Sequence, residues 1–388
     1  MKLFVIAGEP SGDRLGGALM AGLSALAPGI TFDGIGGPEM AAQGLASRVL
    51  MAELSVMGLW EVLPRYRALK ARIRETAAAI AQVRPDAVIT IDSPDFCLRV
   101  LRLARAANPN LRTIHYVAPS VWAWRPGRAA KMAPLVDHVL ALLPFEPPFM
   151  QAAGMTCDFV GHPVVAEPQA SAADADAFRA THAIAPDAPL ILALPGSRRG
   201  EIARLGPRFA ETLRIVLRDH PAARVVVPTV ADQTDTLRDA LRGWRGAPLL
   251  LDPGDGPAAK RAAFAAADVA LAASGTVSLE LAASRTPMVI GYDFNLLTRA
   301  LVARMLQVDT VTLVNLVSET RAIPEFLGRE CRPEPMARAL SRLLSEPQAR
   351  AEQHAAMDLT MERLGRGGEA PGLRAARSVL VHISGHAA

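Results

Sequence analysis

Short apolar runs rich in Val, Ile and Leu recur along the chain, and between them lie longer stretches with apolar residues at helical spacing. In the first half the runs fall near 2–7, 31–35, 87–91, 112–117, 136–142 and 157–160; in the second half they fall near 190–194, 224–228, 248–251, 268–272, 287–291 and 310–314. A short run that is apolar throughout fits a strand covered on both faces, as in a parallel sheet. Its alternation with helices predicts an α/β fold of two Rossmann-like lobes, each on a parallel sheet. Residues 161–189 hold four Pro, many Ala and few large apolar groups, which marks the connection between lobes. After about residue 333 the pattern is purely helical, over 333–345, 347–364 and 370–385.

Composition narrows this picture. A length of 388 residues suits two domains, because single cores rarely grow past about 250–300 residues. The chain is 51% hydrophobic with a mean hydropathy of +0.21, high enough to raise the question of a membrane. No uninterrupted apolar run approaches the ~20 residues of a bilayer span, so a crossing is not expected. The apolar run Leu3–Ala7 passes directly into the loop Gly8–Asp13, which reads as a first strand and not a secretory signal. Cys97, Cys157 and Cys331 are isolated and cannot all pair, which fits a reducing cytoplasm. The eight His show no paired spacing, so no metal site is expected. With 42 basic against 38 acidic residues, the charge is too balanced for a nucleic-acid binder.

In open α/β sheets ligands bind outside the carboxyl ends of the strands, so the loops there carry the chemistry. Gly8-Glu9-Pro10-Ser11-Gly12-Asp13 precedes a helix over 14–26 and suits an anion on backbone N–H groups; it is equally an ordinary turn capped by Ser11 or Asp13. It lacks the spacing of a P-loop or a dinucleotide fingerprint. In Asp92-Ser93-Pro94-Asp95, Ser93 reads as N-cap and Pro94 as first helical residue, which leaves Asp92 as a general base or as the partner of some nearby Arg. Trp122, Trp124, Arg125 and Arg128 share one loop; the rings either stack on a sugar or plug the core, since alternation sends both to one face. In the second half, Gly196-Ser197-Arg198 and Ser274-Gly275-Thr276 each follow a strand and open a helix, with Glu280 a turn beyond the latter. Either is a plain cap alone; together they favour a nucleotide diphosphate.

From Trp60 to Arg84 six basic residues stand against two acidic ones, among Val62, Leu63, Tyr66, Leu69 and Ile73. Such a segment is either a membrane-surface helix or a sheet-covering helix with a solvated face. Residues 296–306, with Arg299 and Arg304, raise the same question. Gly254-Asp255-Gly256-Pro257 weakly fits a dinucleotide pattern, and Pro257 at a helix start explains it more simply.

The motifs Gly8–Asp13, Met57-Gly58, Ile91–Phe96, His115–Arg125, Leu143-Pro144-Phe145-Glu146, Val160-Gly161-His162-Pro163, Leu194–Arg198 and Ala273–Thr276, in this order, resemble those of the lipid-A-disaccharide synthase family from residue 3 to about 330. The resemblance implies a GT-B glycosyltransferase, inverting and metal-independent, with no cofactor, whose two lobes face a central cleft. It implies transfer of 2,3-diacylglucosamine from UDP to the 6-hydroxyl of 2,3-diacylglucosamine 1-phosphate, giving a β(1→6)-linked disaccharide 1-phosphate and UDP. Residues 1–165, with 366–388 crossing back, would form the acceptor-binding and membrane-facing lobe, and 166–365 the UDP-sugar lobe. Carried over residue by residue, Asp92 is the general base and Arg198 the arginine at the diphosphate. Ser11, Gly12, Ser197, Ser274, Gly275, Thr276, Glu280 and Asn315 are expected around the UDP-sugar, Trp122, Trp124 and Arg125 on the acceptor side. Val62, Leu63, Tyr66, Leu69 and Ile73 are expected to face the membrane, with the protein held peripherally at the cytoplasmic face of the inner membrane. A soluble enzyme acting on UDP-N-acetylglucosamine, such as a 2-epimerase, is the competing expectation.

Overall fold

The structure, a computed structural model, describes residues 1–54, 59–123, 127–229, 233–293 and 308–385. The chain divides into two compact units, Met1–Ala166 with Leu364–Ala388, and Glu167–Arg363.

The first unit is built on β1 (Lys2–Ala7), β2 (Thr31–Ile35), β3 (Ala87–Ile91), β4 (Thr113–Tyr116), β5 (His138–Ala141) and β6 (Thr156–Phe159), all parallel, in the order β2-β1-β3-β4-β5-β6. Every residue of β3 is buried, as a strand sandwiched between helices requires. Successive side chains of β1 alternate between two cores: Phe4 and Ile6 join Val88, Val100 and Ile80 on one face, while Leu3, Val5 and Ala7 join Leu19, Leu23 and Val379 on the other. The second face is closed by the helices Pro10–Leu26 and Pro371–Ser384, which approach so closely that a Cβ on Gly372 would lie 2.7 Å from the Ala18 carbonyl oxygen. The returning helix is also held by polar ties. His138 shares hydrogen bonds of 2.7 Å with Thr156 through Nδ1 and with Ser378 through Nε2, and its ring stacks on His382 at 4.7 Å.

The helix Leu59–Val83 covers the first face, and here the outcome differs from the membrane-facing expectation. Ile73 is 5% exposed within the core, and half-buried Leu69 packs against that same cluster. Residues 69, 73, 76, 77 and 80 form the helix's sheet-facing stripe, so burial against the strands claims this part of the apolar face. The side chains of Val62, Leu63 and Tyr66 lie outside the described residues, as do Met57, Gly58 and the segment 296–306.

The second unit repeats the plan with β7 (Leu190–Leu194), β8 (Arg224–Pro228), β9 (Leu249–Leu251), β10 (Val269–Ala273), β11 (Met288–Tyr292) and β12 (Glu325–Leu327), parallel in the order β12-β11-β10-β7-β8-β9. The strand expected at 310–314 does not form; a helix spans Leu313–Ser318, and the edge strand is β12. Side chains replace the ladder there. Glu325 accepts from the backbone N–H groups of Val311 and Thr312 at 3.0 and 2.9 Å, and the Asn315 amide bonds both the N–H and the C=O of Ile323. No described helix is long and apolar enough to cross a membrane.

Candidate active site

A doubly wound sheet has a switch point where strand order reverses, and ligands collect at the carboxyl end there. In the first unit that point lies between β1 and β3, and the loops after both strands meet: a Cβ on Gly8 would come within 2.8 Å of Ser93 Oγ. The helix after β1 begins at Pro10, four residues before its expected start, with no side-chain cap. Ser11 is exposed, whereas Gly12 is buried against β1 and β3, 3.4 Å from the Ile91 carbonyl oxygen at a virtual Cβ. Buried Asp13 caps a different helix: it accepts from the N–H groups of Gly37 (2.7 Å), Glu39 (2.9 Å) and Met40 (3.1 Å), fixing the loop after β2 beside the loop after β1.

Asp92 is half-buried at the tip of β3, and no described arginine pairs with it. Its N–H still donates to Tyr116 O at 3.0 Å, after which the backbone turns left-handed at Asp92 (φ +52°) and Ser93 (φ +43°). Val117, at the tip of the neighbouring β4, has φ +83°, unfavourable for a β-branched residue. Such conformations cost on the order of 1–3 kcal/mol each and concentrate at functional sites. Ser93 holds the expected N-cap position with Pro94 as the first helical residue, but in its left-handed conformation its hydroxyl makes no bond to the helix and instead lies 3.5 Å from Glu9 Oε1. His115, inside β4, is a satisfied core residue: Nδ1 is 2.7 Å from Thr90 Oγ1, and burial lowers its pKa to about 4.

Trp122 does not present its ring to an acceptor. It is 9% exposed, edge-on to Phe145 at 5.2 Å, and its indole N–H donates to Glu146 Oε1 at 3.3 Å. Glu146, 4% exposed, also accepts from the N–H groups of Leu142 and Leu143, so one carboxylate ties the loop after β4 to the loop after β5. Burial pushes its pKa up to about 7. Trp124 and Arg125 lie outside the described residues.

In the second unit the switch point lies between β7 and β10. The loop after β7 turns at Gly196 (φ +116°), where a Cβ would sit 2.6 Å from Glu201 Cβ, so only glycine allows the loop to close on Glu201. Glu201 is a hub that sequence reasoning left without a role. It accepts from Ser197 N (3.2 Å), from the Tyr292 hydroxyl (3.3 Å) and from Arg198 Nη1 (3.3 Å), while the Arg198 side chain stays 63% exposed. Its position three residues after Arg198, one helical turn on, is the only local signal for this pairing. Burial and the neighbouring Glu201 raise the Tyr292 pKa.

After β10, Ser274 is half-buried and Gly275 and Thr276 are exposed, and Ser278 Oγ donates to Gly275 O at 2.8 Å. Glu280 pairs with Lys260 at 2.5 Å. Asn315 is 1% exposed, with its amide spent on Thr310, Ile323 and Glu325; it shapes the segment before β12 and presents no amide to a ligand.

The lipid-A-disaccharide synthetase family model matches residues 3–371. A lipid-A-disaccharide synthase of Ruegeria pomeroyi is 62% identical over 99% of this chain and 96% of its own length, and one of Rhodospirillum centenum is 49% identical over 98% and 94%. Among solved structures, a UDP-GlcNAc 2-epimerase from Neisseria meningitidis, bound to UDP-GlcNAc, superposes with a TM-score of 0.66 over 99% of this chain and 100% of that one. Its identity is 12%, a likeness of fold alone, as is that of a putative 2-epimerase from Listeria monocytogenes at 13% and a TM-score of 0.64. The two-lobed fold is thus shared with UDP-sugar enzymes, and by sequence the chain belongs to the lipid-A-disaccharide synthase family of glycosyltransferases.

Proposed function

We propose that this glycosyltransferase joins the diacylglucosamine of a UDP-sugar to the 6-hydroxyl of diacylglucosamine 1-phosphate, with Asp92 as general base and Arg198 on the departing diphosphate. The observation that carries the reading is the placement of these two groups, each at the switch point of its own sheet and of opposite charge. An inverting displacement needs both. The base takes the proton of the attacking hydroxyl as the new C–O bond forms; the cation meets the negative charge that grows on the diphosphate as the old bond breaks. Asp92 has no cation partner among the described residues, and it sits in a strained turn where the ladder of β3 ends. Ser274, Gly275 and Thr276 offer backbone N–H groups and hydroxyls to the phosphates and Ser197 its hydroxyl, with Glu280 and its partner Lys260 beside them. Ser11 contributes at the first unit's helix start, whereas Gly12 serves mainly as the close contact between that helix and the strands.

The acylated substrates require reach into a leaflet. We place that reach, at the cytoplasmic face of the inner membrane, on the start of the helix Leu59–Val83, with exposed Arg67, Lys70 and Arg74 toward anionic headgroups and Ile73 committed to the core. The test of the chemistry is UDP release from acylated UDP-glucosamine with and without acceptor. Asp92→Asn is expected to slow acceptor-dependent release by about 10²–10⁴-fold while UDP binding persists; wild-type turnover in that variant would overturn the assignment.

A further inference from the structure

Between the helix that follows Asp92 and the helix Gly127–Met132 the first unit holds a cavity of about 660 Å³, within the size range of small-molecule sites. Its helix wall starts at Pro94, two residues after Asp92, and it is closed on the other side by the helix Gly127–Met132. Arg99 and Arg102 project from one wall, with Asp95 on the same helical face; Arg128 and Lys131, three apart, project from the other. The floor is apolar, from Leu98 and Met132. Four cations therefore face one carboxylate. Arg99, Arg102 and Lys131 are exposed, and none of the three has a carboxylate partner among the described residues. By contrast Arg105, on the same helix as Arg99 and Arg102, is paired with Asp137.

We propose that this cavity is the subsite for the acceptor's phosphate monoester, held by Arg99, Arg102 and Lys131, which orients the acceptor sugar so that its hydroxyl meets Asp92. The inference rests on the reaction proposed above and assigns residues to a part of it that the loops after β7 and β10 do not serve. Guanidinium forks bind phosphate oxygens in pairs, the ammonium adds a point charge, and an apolar floor beneath them strengthens both. The sugar nucleotide's phosphates are served by the other unit's glycine-bearing loops, which leaves these cations for the second phosphate-bearing substrate.

The experiment compares diacylglucosamine 1-phosphate with the same acceptor lacking its phosphate, in the wild-type protein and in Arg99→Gln/Arg102→Gln and Lys131→Gln variants. The variants are expected to raise KM for the phosphorylated acceptor by about ten- to a hundredfold with little change in KM for the UDP-sugar. The preference for the phosphorylated acceptor should collapse, and Arg102→Lys should restore part of it. A merely structural role would move both acceptors together, and an unchanged preference in the variants overturns the inference alone. A wild-type protein that forms no disaccharide from either acceptor overturns the underlying reaction as well. The other source of phosphate is the bilayer itself. If the variants keep their acceptor preference but lose binding to phosphatidylglycerol vesicles, the cavity reads lipid headgroups and the proposal is wrong.

Discussion

At its switch point the first unit presents a carboxylate in a strained turn with no described cation paired to it, whereas the second presents an arginine steadied by a buried carboxylate. The sheets beneath are alike: six parallel strands, with a glycine-bearing turn into a helix after the first strand of each. The scaffold therefore supplies only position. What each unit does there is decided by whether the charged group is left unneutralised, as a base must be, or anchored at its root and free at its tip, as a phosphate-binding arginine must be.

The sharpest way to break this contrast is to remove each charge in turn. Asp92→Asn should cut turnover by about 10²–10⁴-fold with UDP affinity unchanged, while Arg198→Ala should weaken both, by about 10–100-fold in UDP affinity, the loss expected for a charge-assisted contact. Kinetics paired with calorimetric UDP titration separates them, and matching profiles would mean the two units do not divide the labour. Next in size, Glu201→Gln leaves one side-chain oxygen, enough for Ser197 N–H or for the Tyr292 hydroxyl, and removes the charge beside Arg198, and a roughly tenfold loss in kcat/KM is expected. If that variant equals wild type, Arg198 needs no anchor.

Acid should also tell the units apart. His115, His138 and His162 are buried neutral in the first unit, each with its pKa lowered to about 4 from 6.5, chiefly by burial; in the second His354 is lowered, again mainly by burial. Between those values the unfolded chain binds protons that the fold refuses, so this stability is complete above pH 6.5 and is lost progressively toward pH 4. Glu146 runs the other way, its raised pKa favouring the fold as pH falls from about 7 to 4.5. Three histidines outweigh one carboxyl, so calorimetry should show the first unit losing more stability than the second between pH 7 and pH 5, and His138→Asn should narrow that difference. The smallest effect concerns the membrane: Val62→Ser with Leu63→Ser should lower partitioning onto anionic vesicles several-fold with the melting profile intact. Unchanged partitioning would remove this helix from the interface.

Strands such as β3 and β7 are legible in the sequence because all residues but Thr90 are apolar and both faces are covered, a pattern that needs no knowledge of partners. β12 is not legible: Glu-Phe-Leu is three residues long, and the segment before it is held by Asn315 and Glu325 side chains, which no periodicity reports. Asp92 could be placed at a strand tip from local pattern alone, yet its left-handed turn could not. Trp122 and Ile73 show a shared weakness of such reasoning. Each reads as an apolar group near a surface element, but which way it faces depends on residues far along the chain, Glu146 for one and the sheet for the other.

The C-terminal helix packed against Pro10–Leu26 sets an order of assembly. The chain leaves the first unit after Ala166 and re-enters it at Leu364, so the second unit is a contiguous insertion that can close upon itself as soon as Arg363 has emerged. Until the helix Pro371–Ser384 arrives, that face of the first sheet is only half covered, and Leu19 and Leu23 of the helix Pro10–Leu26 and the Nε2 side of His138 lack their partners. On a ribosome the portion synthesised first is thus completed last, and a stop codon anywhere before residue 371 would strand it with an exposed apolar face and a finished neighbour.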